Sequence, residues 1–278
     1  MKDFKTQLEA DAFDFAQRVS KLSKRESFKE CTILRKELRT KYSDATMRNY
    51  LTQYRKACKE LELSLDSRLR VSKTQQRKVQ SKTNKSVVDQ NRTTRFIVEY
   101  KKLIEISKEM LTSEKKHDIA IGLMILTGRR PSEIMKSASF KLHKRRVKEL
   151  IFEGQLKTKE NPQDLEPYKI YALGNSAKLC IKALAKLREL TISDSELSIP
   201  AITRKYNSSL NIKLPRIVGS YFEDTPTCKD LRKAYAAICV HLYQEDSEGM
   251  KNAFLCDLLG HGKDDIQTAN SYSKYYIK

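Results

Sequence analysis

The sequence has few of the residues that interrupt regular secondary structure. Among its 278 residues there are only 8 glycines and 6 prolines, and all of them lie beyond residue 121, beginning with Gly122. Glycine and proline are the strongest local markers of turns and loops. Their absence from the first 121 residues therefore predicts that this part of the chain is mostly helical.

Long apolar runs and paired cysteines are also missing. The longest apolar run covers residues 119–126, whereas a membrane-spanning helix needs about 20 apolar residues. The amino terminus has no apolar signal-peptide core. Six cysteines occur without a Cys-x-x-Cys pair, a pattern that favours reduced thiols in a cytoplasmic protein over disulfides or a zinc site. We therefore expect a cytoplasmic protein that does not contact membranes.

Nucleotide- and metal-binding signatures are absent as well. The chain contains neither a Gly-x-x-x-x-Gly-Lys-[Ser/Thr] loop nor a Gly-x-Gly-x-x-Gly turn, and its four histidines are not paired at metal-ligand spacing. The expectation is a protein that works without a cofactor, although carboxylates alone can hold Mg²⁺.

Positive charge is the most pronounced feature of the composition. The chain has 55 Lys+Arg and 35 Asp+Glu, a net charge of +20. Residues 1–95 hold 24 basic and 12 acidic residues, a net of +12, and the remainder has a net of +8. This excess indicates a polyanionic partner, nucleic acid first of all, with an inert basic surface as the alternative.

The chain divides into three predicted parts. Residues 1–65 form an all-α DNA-clamping domain with helices over 3–22, 27–42 and 44–63, the last capped by Ser43 and Asp44. Residues 66–95, with nine basic and two acidic residues, form a basic linker. Residues 96–278 form the second domain.

DNA contacts are predicted in the first two parts. The helix over 44–63 has one apolar stripe, which leaves a basic face free to lie against DNA or simply to be solvated. Linker cations would track phosphates. The predicted DNA-binding residues are Arg48, Arg55, Lys56, Lys73, Arg77 and Lys78.

The second domain is predicted to be α+β and mainly helical. Helices over 96–111, 116–126 and 131–138 come first. Three short strands follow, near 140–142, 148–152 and 169–173, and helices then resume at 176–190, 202–211, 230–243, 252–259 and 266–272. Helices surrounding one small antiparallel sheet are typical of an α+β domain.

Five segments of this domain combine cations or tyrosines with turns. Residues 127–134 read Thr-Gly-Arg-Arg-Pro-Ser-Glu-Ile, and a predicted hairpin over 147–159 ends in Leu-Lys-Thr-Lys. Lys229-Asp-Leu-Arg232 opens a helix, Leu258-Leu-Gly-His-Gly262 closes another, and residues 271–276 read Ser-Tyr-Ser-Lys-Tyr-Tyr.

In this order, the five segments resemble the catalytic domain of the tyrosine recombinases. That family has a Thr-Gly-x-Arg-x-Ser-Glu box, a hairpin lysine, a His-x-x-Arg box, a Leu-Gly-His box and a nucleophilic tyrosine. Here Lys229 stands where most members have histidine, and Tyr272 follows His261 by eleven residues, a longer spacing than in many integrases. Both departures resemble the telomere resolvases, or protelomerases.

The resemblance implies a reaction and six catalytic residues. A telomere resolvase cleaves inverted-repeat duplex DNA through a 3′-phosphotyrosine and rejoins the strands as closed hairpin ends, without metal or ATP. Its partner would be double-stranded DNA bound by a homodimer, in a nucleoid-associated protein encoded by a bacterium or phage. By resemblance, Tyr272 is the nucleophile and Lys157 the general acid, while Arg130, Arg232 and His261 hold the phosphate with help from Lys229.

Several alternatives remain open at this level. Lys159 lies on the same strand face as Lys157, and Tyr275 and Tyr276 compete with Tyr272. Glu133 is expected to support Arg130 rather than to react. Other possible functions are an ordinary site-specific recombinase or integrase, a type IB topoisomerase, and a non-catalytic DNA-binding protein.

Overall fold

The computed structural model describes residues 7–74, 76–77, 80–81, 95–156, 166–244, 248–260, 272 and 275–278. The chain forms two compact units, Met1–Gln90 and Asn91–Lys278. Each unit has its own hydrophobic core.

Three helices build the amino-terminal unit: α1 (Gln7–Ser20), α2 (Lys24–Lys41) and α3 (Asp44–Glu60). Helix α2 begins earlier than the predicted residue 27, because Ser23 and Glu26 form a capping box that satisfies two backbone N–H groups at the helix start. Ser43 caps α3 as predicted, its side chain accepting a hydrogen bond from the Thr46 backbone N–H.

The core of this unit extends past its third helix. Leu65, Leu69 and Val71 are buried together with apolar residues of all three helices. The predicted boundary at residue 65 is therefore too early, because Leu69 and Val71 lie beyond it and pack into the core of the first unit. Arg95, at the other end of the predicted linker, lies in a strand of the second unit.

The second unit contains six α-helices and five strands within the described residues. The helices are α4 (Tyr100–Met110), α5 (Lys116–Thr127), α6 (Ala177–Leu190), α7 (Ile199–Val218), α8 (Cys228–Tyr243) and α9 (Glu248–Leu259). The strands are β1 (Arg95–Ile97), β2 (Ser139–Leu142), β3 (Glu149–Glu153), β4 (Tyr168–Tyr171) and β5 (Tyr275–Ile277).

Two small sheets are present, of which the sequence predicted one. Strands β2, β3 and β4 form an antiparallel sheet, with Phe140 opposite Phe152 and Leu150 opposite Ile170. Strands β1 and β5 pair in parallel, with Phe96 opposite Tyr276. Residues 95–97 are thus a strand and not the predicted start of a helix, since they pair with a segment about 180 residues away.

Helix α5 is the centre of the second unit. All nine residues from Ile119 to Thr127 are buried, as expected for a helix that is covered on every side. It ends at Gly128, which has φ 67° and closes the helix in the left-handed conformation. The short helix predicted over 131–138 is present, and most of it is a π-helical turn, Glu133–Ser137. The predicted helix over 266–272 lies outside the described residues except for Tyr272.

Candidate active site

Arg232 connects three separate parts of the second unit. Thr227 and Asp230 form a capping box that begins α8, and Arg232 lies one turn into this helix. Its guanidinium donates to the carbonyl oxygens of Gly128 and Leu259, both at 2.7 Å. The end of α5, the start of α8 and the end of α9 are therefore held around one buried cation.

Arg130 lies beside this group, on the chain that follows Gly128. Its Nη1 donates to Glu133 Oε1 at 2.6 Å and to the Leu156 carbonyl at 3.0 Å. Glu133 also accepts hydrogen bonds from the backbone N–H groups of Arg130 and Leu156. Leu156 directly precedes Lys157, so Glu133 joins the arginine box to the base of the lysine hairpin.

Glu133 is a carboxylate buried among arginines. Its side chain is fully buried. Burial alone would raise its pKa, but the charges of Arg232, Arg130 and Arg129 and the hydrogen bond from the Arg130 backbone outweigh this effect and lower the pKa. Glu133 is thus ionised and holds the guanidinium groups in place, the supporting role expected from the sequence.

Tyr272 is the tyrosine that meets the arginine pair. The Arg232 Cζ lies 5.7 Å from the centroid of its ring, and the guanidinium groups of Arg232 and Arg130 both act on the pKa of its phenol. Burial disfavours the phenolate, yet the two guanidinium groups outweigh burial and lower the pKa of Tyr272. The structure thus brings together Arg130, Arg232 and Tyr272, three of the six predicted catalytic residues.

The competing tyrosines lie in different surroundings. Tyr275 and Tyr276 belong to β5, and the Tyr275 hydroxyl accepts a hydrogen bond from Arg95 Nη1 at 3.5 Å. Burial raises the pKa of Tyr275 to about 12 even with this hydrogen bond. Tyr276 is about half exposed and packs against Phe96. The pKa is thus lowered at Tyr272 and raised at Tyr275, so the surroundings of Tyr272 are the ones that stabilise a phenolate.

Arg129, which the Thr-Gly-x-Arg box leaves without a catalytic role, is a structural cation. It is 1% exposed and donates to the carbonyl oxygens of Thr127 and Leu258, each at 3.1 Å. Its guanidinium also lies 4.8 Å from the centroid of the Phe152 ring. The sequence did contain an indication that Arg129 is buried. Gly128 predicts a left-handed helix cap, and the residue that follows such a cap is directed back towards the unit.

Of the other three predicted catalytic residues, the structure describes Lys229 alone. Lys229 is exposed in the first turn of α8, three residues before Arg232, so the two share one side of the helix. Lys157, its competitor Lys159, and His261 lie outside the described residues. The roles of Lys229, Lys157 and His261 remain predictions.

The described residues contain no group of three His, Cys, Asp or Glu side chains able to hold a metal ion. No helix in that part of the chain is both long and apolar enough to cross a bilayer.

Basic side chains of the amino-terminal unit surround a small cavity. Arg48, Arg55, Arg70 and Gln76 line it, and its volume is about 210 Å³. The Arg55 guanidinium already has two contacts within the unit: it donates a hydrogen bond to Thr52, and its Nη1 lies 3.8 Å from Asp66 Oδ1. Lys56, Lys73 and Arg77 are exposed, and Lys78 lies outside the described residues.

The sequence of the second unit matches a known family. Residues 94–275 match the profile described as the telomere resolvase ResT/TelK catalytic domain. Because this match covers more than half of the chain, the protein belongs to the telomere resolvase family of DNA cleaving and rejoining enzymes. The branch predicted from Lys229 and from the spacing between His261 and Tyr272 is confirmed, in preference to the ordinary recombinases. None of the curated proteins compared with the chain matches it.

Solved structures confirm the fold. A selenomethionine form of protelomerase TelA covalently complexed with substrate DNA has a TM-score of 0.81 at 20% identity, covering 100% of this chain and 91% of that chain. A TelA mutant complexed with a DNA hairpin product has a TM-score of 0.79 at 20% identity with the same coverage. Protelomerase TelK complexed with substrate DNA has a TM-score of 0.63 at 19% identity, covering 98% of this chain and 59% of that chain.

Proposed function

We propose that the chain cleaves double-stranded DNA of inverted-repeat symmetry with Tyr272 as the nucleophile and rejoins the strands as hairpin ends. The observation that carries this proposal is the pair of arginines on the Tyr272 phenol, which lowers its pKa. A tyrosine is a weak nucleophile at its ordinary pKa of about 10, and lowering that pKa activates it.

The cleavage step follows from these groups. Tyr272 first loses its proton to water, and its phenolate oxygen then attacks the scissile phosphorus while the bond from phosphorus to the 5′-oxygen breaks. Lys157 gives that departing oxygen a proton, leaving a 5′-hydroxyl and a 3′-phosphotyrosine. Arg130 and Arg232 hold the non-bridging oxygens, a geometry that suits guanidinium groups. Each preorganised donor of this kind is worth about 2.7–4 kcal/mol.

Rejoining reverses the same chemistry. The 5′-hydroxyl of the opposite strand attacks the phosphotyrosine, gives its proton back to Lys157 and releases Tyr272. The covalent bond to Tyr272 conserves the phosphodiester, so no ATP is consumed. His261 adds a hydrogen bond to the phosphate, and Lys229 assists from the exposed start of α8. No metal takes part in either step.

The substrate and its setting belong to the same proposal. Two symmetry-related scissile phosphates need two copies of Tyr272, so the enzyme acts as a homodimer on DNA. The amino-terminal unit grips the duplex with Arg48, Arg55 and Lys56, and Lys73, Arg77 and Lys78 extend the contact along the backbone. Such an enzyme works in the cytoplasm of a bacterium, where phage or bacterial DNA lies.

The test is a hairpin assay on a denaturing gel. An inverted-repeat duplex incubated with the protein should give snap-back hairpins without ATP or Mg²⁺, and Tyr272→Phe should give none. The matched controls are Tyr275→Phe and Tyr276→Phe, which remove one hydroxyl each and should still yield hairpins. Hairpins formed by Tyr272→Phe, or strand exchange between two duplexes in place of hairpins, would refute the proposal.

A further inference from the structure

The strands of the lysine hairpin end in two polar residues that meet each other. Gln155 comes just after β3 and is buried, and Tyr168 opens β4. The Tyr168 hydroxyl donates to Gln155 Oε1. The two residues therefore join the base of the connection 156–167, which contains both candidate lysines, Lys157 and Lys159.

The same pair binds the end of α9. Gln155 Nε2 donates to the Gly260 carbonyl oxygen at 2.6 Å, and Gly260 is the residue directly before His261. Gly260 has φ +64°, and a Cβ there would lie 2.2 Å from Gln155 Oε1 and 2.4 Å from Tyr168 Cζ. Only glycine allows the amide and the phenol to pack this closely on the backbone.

Arg129 orients the pair from the other side. It donates to the Tyr168 hydroxyl, which therefore accepts from Arg129 while it donates to Gln155. The Arg129 guanidinium also lies 5.6 Å from the centroid of the Tyr168 ring. The Tyr168 hydroxyl also lies 3.4 Å from the Leu259 carbonyl oxygen. This partly buried network therefore connects Arg129, the hairpin base and the end of α9, and a satisfied network of this kind favours one arrangement of the segments that it joins.

We propose that Gln155 and Tyr168 are positioning residues for the cleavage reaction. They hold the base of the lysine hairpin against Gly260, and their role is to position the hairpin that carries the general acid. This inference rests on the proposed function, in which a hairpin lysine protonates the departing 5′-oxygen. Misplacement of a catalytic group by about 1 Å costs about 10²-fold in rate.

Single-turnover cleavage of two substrates tests the inference. One is ordinary inverted-repeat DNA, and the other has sulfur in place of the 5′-bridging oxygen at the scissile phosphate. A thiolate leaves without a proton, so this substrate needs no general acid. Gln155→Met keeps the side-chain length but removes both hydrogen bonds, and Tyr168→Phe keeps the ring on Arg129. Both variants should cleave ordinary DNA about 10²-fold more slowly at unchanged DNA affinity, and the sulfur substrate should largely restore their rates.

Three further variants keep the outcome interpretable. Phe140→Leu shortens a buried side chain of β2 outside the network; it should lower thermal stability with no preference for sulfur. Lys157→Ala and Lys159→Ala identify the general acid, which the sulfur substrate should rescue. If that lysine variant is rescued but Gln155→Met cleaves both substrates equally slowly, the positioning role is refuted while the proposed function stands. If neither lysine variant is rescued, the proposed general acid is itself wrong.

Discussion

At the scale of single residues, the site consists of buried charges that compensate one another. Arg129 and Arg232 are almost fully buried and Glu133 is completely so. Burial disfavours the charged form of Arg232, yet the Glu133 carboxylate and the phenols of Tyr272 and Tyr168 raise its pKa. Buried charges that are paired in this way reduce the stability of the folded protein little while all partners are present. Removing one partner leaves an unpaired buried charge and reduces the stability strongly.

Removing the charge of Glu133 should therefore destabilise the second unit strongly. Glu133→Gln keeps the shape but leaves three guanidinium groups without their carboxylate, which should cost about 3–5 kcal/mol at pH 7. Urea unfolding measures this cost. Glu153→Gln is the control, because Glu153 is half exposed and pairs with the exposed Lys141, so it should cost about 0–1 kcal/mol. Equal losses of unfolding free energy in Glu133→Gln and Glu153→Gln would contradict the role of Glu133 as the carboxylate that pairs with the buried arginines.

The pH dependence of the Glu133 effect has a defined sign. The pKa of Glu133 is lowered in the folded protein, so its contribution is complete above the unfolded value of about 4.3. That contribution is lost as the pH falls through the folded pKa. The stability difference between the wild type and Glu133→Gln should therefore shrink on acidification below about pH 4.3. A difference that grows in acid would show that the carboxyl is protonated at neutral pH.

Tyr272 should make cleavage depend on pH in a specific way. Its phenol pKa is lowered by the two arginines, with burial opposing them. The single-turnover rate should rise about tenfold per pH unit and level off below pH 10, the ordinary tyrosine value. The 5′-sulfur substrate removes any contribution of the lysine to this profile. A rise that continues through pH 10 would mean that the phenol of Tyr272 is not activated.

At the scale of secondary-structure elements, the turn after α5 places the arginine box. Gly128 ends the helix with φ +67°, and a Cβ at this position would lie 2.1 Å from Tyr235 Cδ1. Tyr235 is itself fixed, because its hydroxyl donates to the Tyr171 carbonyl at 2.9 Å. Backbone conformation and packing therefore both require glycine, and this turn directs Arg129 inward.

Gly128→Ala should destabilise the second unit by about 2 kcal/mol or more, the sum of left-handed strain and overpacking. Gly219→Ala is the matched control, since Gly219 has φ −58° and its added Cβ would meet only Pro215 Cβ, at 3.8 Å. That change should be neutral or should stabilise by up to about 1 kcal/mol. Thermal unfolding compares them, and similar melting temperatures would contradict the role of Gly128.

At the scale of the whole molecule, positive charge is concentrated in the first part of the chain. Residues 1–95 have a net charge of +12 and the remaining residues +8. Each phosphate that a cation neutralises contributes about −0.9 to the slope of log affinity against log salt. The charge distribution therefore predicts that much of the DNA affinity is independent of DNA sequence.

Neutralising Lys73, Arg77 and Lys78 should weaken binding to all DNA sequences and flatten the salt slope by up to about three units. Affinity measured at several salt concentrations on specific and unrelated duplexes gives the slope. The comparison variant neutralises Lys178 and Lys182, two exposed cations of α6. It shows how much of the change in slope comes from a lower net charge alone and how much from lost contacts of Lys73, Arg77 and Lys78 with phosphates. An unchanged slope in the triple variant would mean that these cations are only solvated.

The sequence by itself determined the fold class, most of the described helices and the family. Hydrophobic periodicity and caps such as Ser43 are local signals, so α3 and the three-stranded sheet follow from neighbouring residues. The order of the motifs is enough to predict Arg130, Arg232 and Tyr272 as site residues, without knowledge of the distances between them. These properties depend on residue types at short spacing, which the chain displays directly.

Only the tertiary structure decided which side chains share one environment. The β1–β5 pairing joins residues about 180 positions apart, and no local pattern encodes it. The same holds for the burial of Arg129, the contact between Gln155 and Gly260, and the different surroundings of Tyr272 and Tyr275. Burial and charge act through space, so the pKa of a tyrosine is set by the guanidinium groups that the fold brings to it.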